Sequence, residues 1–203
     1  MATVFTVKGT VNADTVYGGY QGDTITGNGG ADILDGNSGD DTITGGSGTD
    51  SITGAAGNDV ITAAGAIDTI LGGTGNDTID GGAGYNTVQV SGSADAFFWT
   101  VNSNGEVVLT DLVNDSGDLV DGSNEGTDTL TNVQAIRYVN PVTGETTVFE
   151  LDDHGNSPDA GNRQIQFGEV VSGRANYYGD NDYFTMQITN SSDYHLTSNG
   201  NRN

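Results

Sequence analysis

The chain has 203 residues, with 28 Asp and Glu against 5 Lys and Arg and a formal net charge of −23. Such acidity argues against nucleic acid and anionic membranes as partners and favours bound cations. Cysteine is absent, only 33% of residues are hydrophobic, and no apolar run reaches the length of a bilayer span. A disulfide framework, a large globular core and a transmembrane helix are therefore all disfavoured.

Residues 1–8 carry no cleavable leader pattern, which fits either leaderless export or an excised fragment. Thr3 to Val7 alternate and are rich in β-branched side chains, so they predict a strand. Its expected place is over the apolar end of the repeat array that begins at Gly9. From Gly9 to Gln89 the sequence repeats every nine residues. Aspartate returns at Asp14, Asp23, Asp32, Asp41, Asp50, Asp59, Asp68 and Asp77, and Asn86 takes the ninth place. Two residues after each comes an aliphatic side chain, from Val16 and Ile25 through Ile79 to Val88. A fixed period of this kind defines a solenoid. Six positions of each repeat are turn chemistry, rich in glycine, and three are a minimal strand such as Thr42-Ile43-Thr44. Strand, turn, strand, turn makes a coil of eighteen residues. Alternate aspartates then stack on two edges. The first edge carries Asp14, Asp32, Asp50, Asp68 and Asn86, and the second carries Asp23, Asp41, Asp59 and Asp77.

Stacked coils lie about 4.8 Å apart, where paired carboxylates repel by roughly 1–3 kcal/mol depending on the effective dielectric. No Lys or Arg occurs between Gly9 and Ile136 to compensate. A cation between the turns reverses the sign of the problem. Aspartate and backbone carbonyl oxygens are hard ligands that suit Ca²⁺. Outward side chains on one face form a partial double file of threonines, Thr24, Thr26, Thr42, Thr44, Thr62 and Thr78, interrupted by Val60 and Asp80. Threonine suits any exposed strand, but the file is also a candidate ligand face.

The glycine-rich turns, the periodic Asp and the aliphatic two residues on resemble the RTX family, whose nonapeptide reads G-G-x-G-x-D-x-U-x. The resemblance covers about eighty residues. It implies an all-β fold, a parallel β-roll with Ca²⁺ between neighbouring turns of one edge, and type I secretion. Carried over position by position, it implies up to seven ions, between successive members of each edge, including Asp68 with Asn86. Turn carbonyls such as those of Gly36, Ser38, Gly45, Ser47, Gly54, Gly57, Gly72 and Gly75 complete the ligand sets. The turn before Asp68 lacks the leading glycine pair, Gly9 to Asp14 has one glycine, and Gln21 replaces a glycine before Asp23. The expected core of the ligand set is Asp23, Asp32, Asp41, Asp50, Asp59 and Asp77, with Asp14 and Asp68 beside it.

Past the roll, placed at residues 9–90, the period stops. Residues 91–150 hold the only Trp and predict a β cap with strands at Ala96–Val101, Glu106–Thr110, Ala135–Val139 and Glu145–Leu151. Gly126 to Tyr138 looks like a segment that commonly follows RTX repeats. Asp111, Asp115, Asp118, Asp121 and Glu125 form an acidic loop, read as solvated or as one more Ca²⁺ site. Residues 151–163 have linker composition. Gly168 to Arg174 and Gly179 to Ile188 are similar to the opening strands of a bacterial pre-peptidase C-terminal domain. Residues 164–203 are therefore expected to be part of a β-sandwich or an unstructured tail.

No catalytic constellation is present. His154 and His195 are isolated, no serine sits in a nucleophile elbow, and no glycine run leads into a helix. The expected function is that of a non-catalytic Ca²⁺-binding module that folds after export, within a larger secreted or cell-surface bacterial protein. It is expected to be monomeric. Two alternatives are an accessory module binding extracellular polysaccharide and an ice-binding solenoid using the threonine file.

Overall fold

The computed structural model describes residues 4–112 and 125–151. The acidic-loop residues Asp115, Asp118 and Asp121, both histidines, the linker after Leu151 and the tail lie outside them.

The nine-residue period becomes a ladder of short strands: β1 (Thr6–Lys8), β2 (Thr15–Tyr17), β3 (Thr24–Gly29), β4 (Ile33–Asp35), β5 (Thr42–Ser47), β6 (Ser51–Ala56), β7 (Val60–Gly65), β8 (Thr69–Thr74), β9 (Thr78–Asp80) and β10 (Thr87–Ser91). Successive strands alternate between two sheets, so each pairs in parallel with the strand eighteen residues on, as Ile43 with Ile61 and Ile52 with Ile70. The side chain at the centre of each strand points inward because neighbours on a strand face opposite ways. Ile25, Ile43, Ile61 and Ile79 from one sheet and Leu34, Ile52, Ile70 and Val88 from the other are buried in a single column between the sheets. Burying each removes a side chain worth roughly 1.5–3 kcal/mol from water.

Within the turns positive φ recurs at alternate positions. The second position of the repeat has positive φ at Asn28, Asn37, Gly46, Ala55, Ala64, Gly73 and Gly82, and the fourth does so at Gly30, Gly39, Gly48, Gly57, Ala66, Gly75 and Gly84. Glycine reaches this region freely. Ala55, Ala64 and Ala66 reach it against a Cβ clash costing roughly 1–2 kcal/mol each.

The N-terminal strand begins at Thr6, later than the alternation of Thr3 to Val7 implies. Thr6 pairs with Thr24, while the Phe5 N–H is diverted to the Asp23 carboxylate. At the other end, β11 (Phe97–Val101) and β12 (Val107–Asp111) form an antiparallel hairpin. The chain then returns to the roll. β13 (Thr127–Thr131), a strand that periodicity does not predict, stacks in parallel on β9, and β14 (Ala135–Val139) stacks in parallel on β10. Among the described residues each sheet therefore contains six parallel strands. Antiparallel pairing ends both stacks, through β12 on β13 and β15 (Thr146–Glu150) on β14. Phe97, Tyr138 and Phe149 pack ring against ring over this end, with centroids 5.4 and 5.3 Å apart. An apolar solenoid end needs such a cover.

Candidate metal centre

The sixth residue of each repeat closes the turn, and its carboxylate has two separate tasks. Its Oδ1 accepts the backbone N–H of the equivalent residue one coil earlier. On the first edge Asp14 N donates to Asp32, Asp32 N to Asp50 and Asp50 N to Asp68, at 2.8–2.9 Å. On the second edge Asp23 N donates to Asp41, Asp41 N to Asp59 and Asp59 N to Asp77, at 2.6–2.8 Å. These bonds draw each carboxylate into the stack. Asp32, Asp41, Asp50, Asp59, Asp68 and Asp77 are each at most 2% exposed.

Oδ2 has no such partner in those six residues: the atom is buried and accepts no hydrogen bond. In Asp32, Asp41, Asp50 and Asp59 what it faces is another acceptor. A Cβ placed on Gly45 would lie 2.6 Å from Asp50 Oδ2 and 2.7 Å from the Ala63 carbonyl oxygen of the next coil. Equivalent crowding pairs Asp32 with the Gly45 carbonyl at Gly27, Asp41 with Gly54 at Gly36, and Asp59 with Gly72 at Gly54. Two oxygens therefore converge from adjacent coils across no more than about two Ca–O bonds of 2.3–2.6 Å. Buried acceptors facing one another are costly without a proton or a cation between them.

Burial raises the carboxyls of Asp41, Asp50 and Asp77 above the ordinary range and pushes Asp68 up to about 6 and Asp59 up to about 7. Desolvation is the leading cause, opposed by the N–H donated to each carboxylate. Neighbouring carboxylates add to the rise at Asp41, Asp50, Asp59 and Asp68. Among the described residues no three Asp, Glu, His or Cys side chains gather as a metal cluster. A bound cation would thus draw its remaining oxygens from backbone carbonyls.

The ends of the edges differ. Asp14 Oδ2 accepts Thr10 N at 2.6 Å and Thr10 Oγ1 at 2.8 Å, and Asp23 Oδ2 accepts Gly19 N at 2.5 Å. Both are satisfied locally, unlike the six buried aspartates that follow them. Asn86 is a natural control. Its Oδ1 accepts Asp68 N at 3.1 Å as an aspartate would, while its Nδ2 donates to the Gly81 carbonyl at 2.7 Å. Where the aspartates place an unpartnered oxygen, Asn86 supplies a hydrogen.

Of the turn carbonyls expected as ligands, those of Gly45, Gly54 and Gly72 face an Oδ2 of the preceding coil, and Gly36 faces Asp23. The Ser47 carbonyl accepts Gly30 N at 3.0 Å. The carbonyl of Ala63 joins the facing set although its side chain departs from the repeat. The Ser38 carbonyl is not among those that crowd an Oδ2, and the carbonyls of Gly57 and Gly75 abut the fourth-position glycines of the next coil.

Away from the edges, Thr24, Thr42 and Thr78 align in one outward column and Thr26, Thr44 and Thr62 in another. Register adds Thr6 to the first column, Thr129 beside Thr78, and Thr131 beside Asp80.

A two-sheet parallel solenoid with buried, unpartnered carboxylate oxygens along its turns is a cation-binding β-roll. Residues 8–95 match the family model of the RTX calcium-binding nonapeptide repeat, in overlapping segments 8–43, 26–61, 35–70, 53–88 and 62–95. That stretch is an array of RTX calcium-binding repeats. No curated protein matches the chain.

Proposed function

We propose that this module is a calcium-dependent folding unit whose ions sit between aspartates stacked on the same edge. The ligands are Asp32, Asp50 and Asp68 on one side and Asp41, Asp59 and Asp77 on the other, with facing turn carbonyls such as those of Gly45, Gly54, Ala63 and Gly72. The observation that carries this reading is the buried Oδ2 of these six residues, which has no hydrogen-bond donor. Asp14 and Asp23 join the files when an ion displaces their local donors. The gap between Asp68 and Asn86 takes no ion, because the Asn86 amide already occupies the Gly81 carbonyl.

At low Ca²⁺ the carboxylate files repel and the chain stays expanded, a form suited to leaderless export. Extracellular modules bind with dissociation constants of roughly 10⁻⁴–10⁻³ M, so outside the cell the ions neutralise the files and their binding energy becomes folding energy. The surrounding protein is secreted or displayed on a bacterial surface, and this module contributes no catalysis. Far-UV circular dichroism titrated with Ca²⁺ tests the reading. Strand signal is expected to rise cooperatively and to vanish on chelation; an equally folded chain in chelator contradicts it.

The extension of the threonine columns to Thr6, Thr129 and Thr131 favours a second role for the same face, in which regularly spaced hydroxyls bind polysaccharide or ice. Thr44→Tyr is expected to abolish thermal hysteresis or glycan binding of the Ca²⁺ form without changing its Ca²⁺ titration. A Ca²⁺ form that shows neither property before substitution excludes this role.

A further inference from the structure

The roll does not stop where the repeats do. After β9 the chain leaves for the β11–β12 hairpin and comes back, and four separate registers place the returning segment as one more coil. Thr129, Leu130 and Thr131 pair in parallel with Thr78, Ile79 and Asp80. Leu130, 1% exposed, continues the aliphatic column. Gly126, at φ +77°, stacks on the Gly75 carbonyl as Gly75 stacks on that of Gly57. The Thr127 N–H donates to Asn76 Oδ1 at 2.8 Å, extending the ladder in which Asn76 N donates to Asn58 and Asn58 N to Asp40.

The sixth position of this returning coil is Asp128. Its Oδ1 accepts Asp77 N at 2.8 Å, the same bond that joins every earlier pair of the second edge, although the two residues are 51 apart in sequence. Asp128 is 4% exposed. Asp77 Oδ2 is buried and without a partner, and it lies against Gly72 as Asp32 Oδ2 lies against Gly27. The other edge ends differently. There Asn86 N donates to Gln134 Oε1 at 2.6 Å, so the first edge finishes in two neutral amides. Among the described residues the second edge ends instead on the carboxylate of Asp128. Asp111 and Glu125 add negative charge around Asp128. Each already accepts a backbone N–H, from Glu125 and Ser91 respectively. The basic side chains among the described residues are Lys8 and Arg137, and neither is among the groups acting on Asp128.

We propose that Asp77 and Asp128 hold a further divalent cation, which fastens the returning strand, and with it the β cap, to the end of the roll. The proposal rests on the calcium reading of the aspartate edges and extends it beyond the matched repeats. It predicts that the second edge has no terminal aspartate at Asp77, so that Asp77 serves two gaps.

Counting Ca²⁺ bound to the full chain by native mass spectrometry at saturating Ca²⁺ tests this. Asp128→Asn keeps the Oδ1 acceptor and converts the gap into the Asn86 type, so it is expected to lose one ion relative to wild type. Asp77→Asn is expected to lose two, and it tests the site without touching the cap. The proposal is overturned if Asp128→Asn binds as many ions as wild type, or if Asp77→Asn loses only one. A wild-type chain that binds no Ca²⁺ at all would instead overturn the reading of the whole roll.

Discussion

Replacing Asp59 by Asn should change stability with opposite signs in Ca²⁺ and in chelator. Asp59 lies between Asp41 and Asp77, accepting the N–H of the first and donating its own to the second. Asn keeps the Oδ1 acceptor, as Asn86 does toward Asp68, so the backbone ladder survives. Both flanking gaps lose a carboxylate. With Ca²⁺ at about ten times the dissociation constant, each site contributes about 1.4 kcal/mol, so losing two costs about 3 kcal/mol. For a folded unit of this size, that lowers the melting midpoint by roughly 6–12 °C.

Without metal the sign reverses. The Asp59 carboxyl is pushed up to about 7 in the folded chain, so its stabilising contribution is lost as pH rises through that value and the charged form opposes folding above it. Asn carries no charge there. In chelator near pH 8, above that transition, Asp59→Asn should retain at least as much strand signal as wild type. The assay is circular dichroism of variant and wild type, a thermal melt in Ca²⁺ and the strand signal followed from about pH 8 to about pH 4 in chelator. Equal destabilisation in both would assign Asp59 a purely structural role and refute the reasoning.

The same geometry has other consequences. Asn86→Asp removes the amide from the Gly81 carbonyl and completes a carboxylate pair with Asp68, so native mass spectrometry should count one ion more than in wild type. The raised carboxyls of Asp59, Asp68 and Asp128, at about 7, 6 and 8, lie above their unfolded values. In chelator, therefore, stability is fully present below about pH 4 and is lost between there and about pH 8. Far-UV circular dichroism of the metal-free chain should show strand signal growing on acidification across this window. Ala66 has φ 95°. Ala66→Gly relieves the left-handed clash at some entropic cost and should stabilise the Ca²⁺ form by about 0.5–1 kcal/mol in urea titration.

Periodicity made most of this architecture readable before any coordinates. An aliphatic held two residues after eight aspartates and Asn86, all in register, admits one way of burying its side chains, and the two-edge sorting of the aspartates comes from coil length. The returning coil was hidden for a physical reason. The hairpin separates Asp128 from Asp77 by 51 residues instead of 18. The turn after β13 is then cut short, so that Gln134, three residues after Thr131, already takes the position of an aspartate. The signal was the spacing Gly126-x-Asp128-x-Leu130, a single copy of the repeat's second half. The split among the aspartates was not readable either. Whether an Oδ2 meets a donor depends on how its turn closes. Thr10 and Gly19 supply one to Asp14 and Asp23, and nothing does so for Asp68.

Anomalous scattering from crystals grown in Ca²⁺ tests the dependence of these buried edges on metal most directly. Density peaks are expected in the gaps between Asp32 and Asp50, Asp50 and Asp68, Asp41 and Asp59, and Asp59 and Asp77, with ligand distances of about 2.3–2.6 Å. An ordered roll whose aspartate gaps show no anomalous signal would contradict the account.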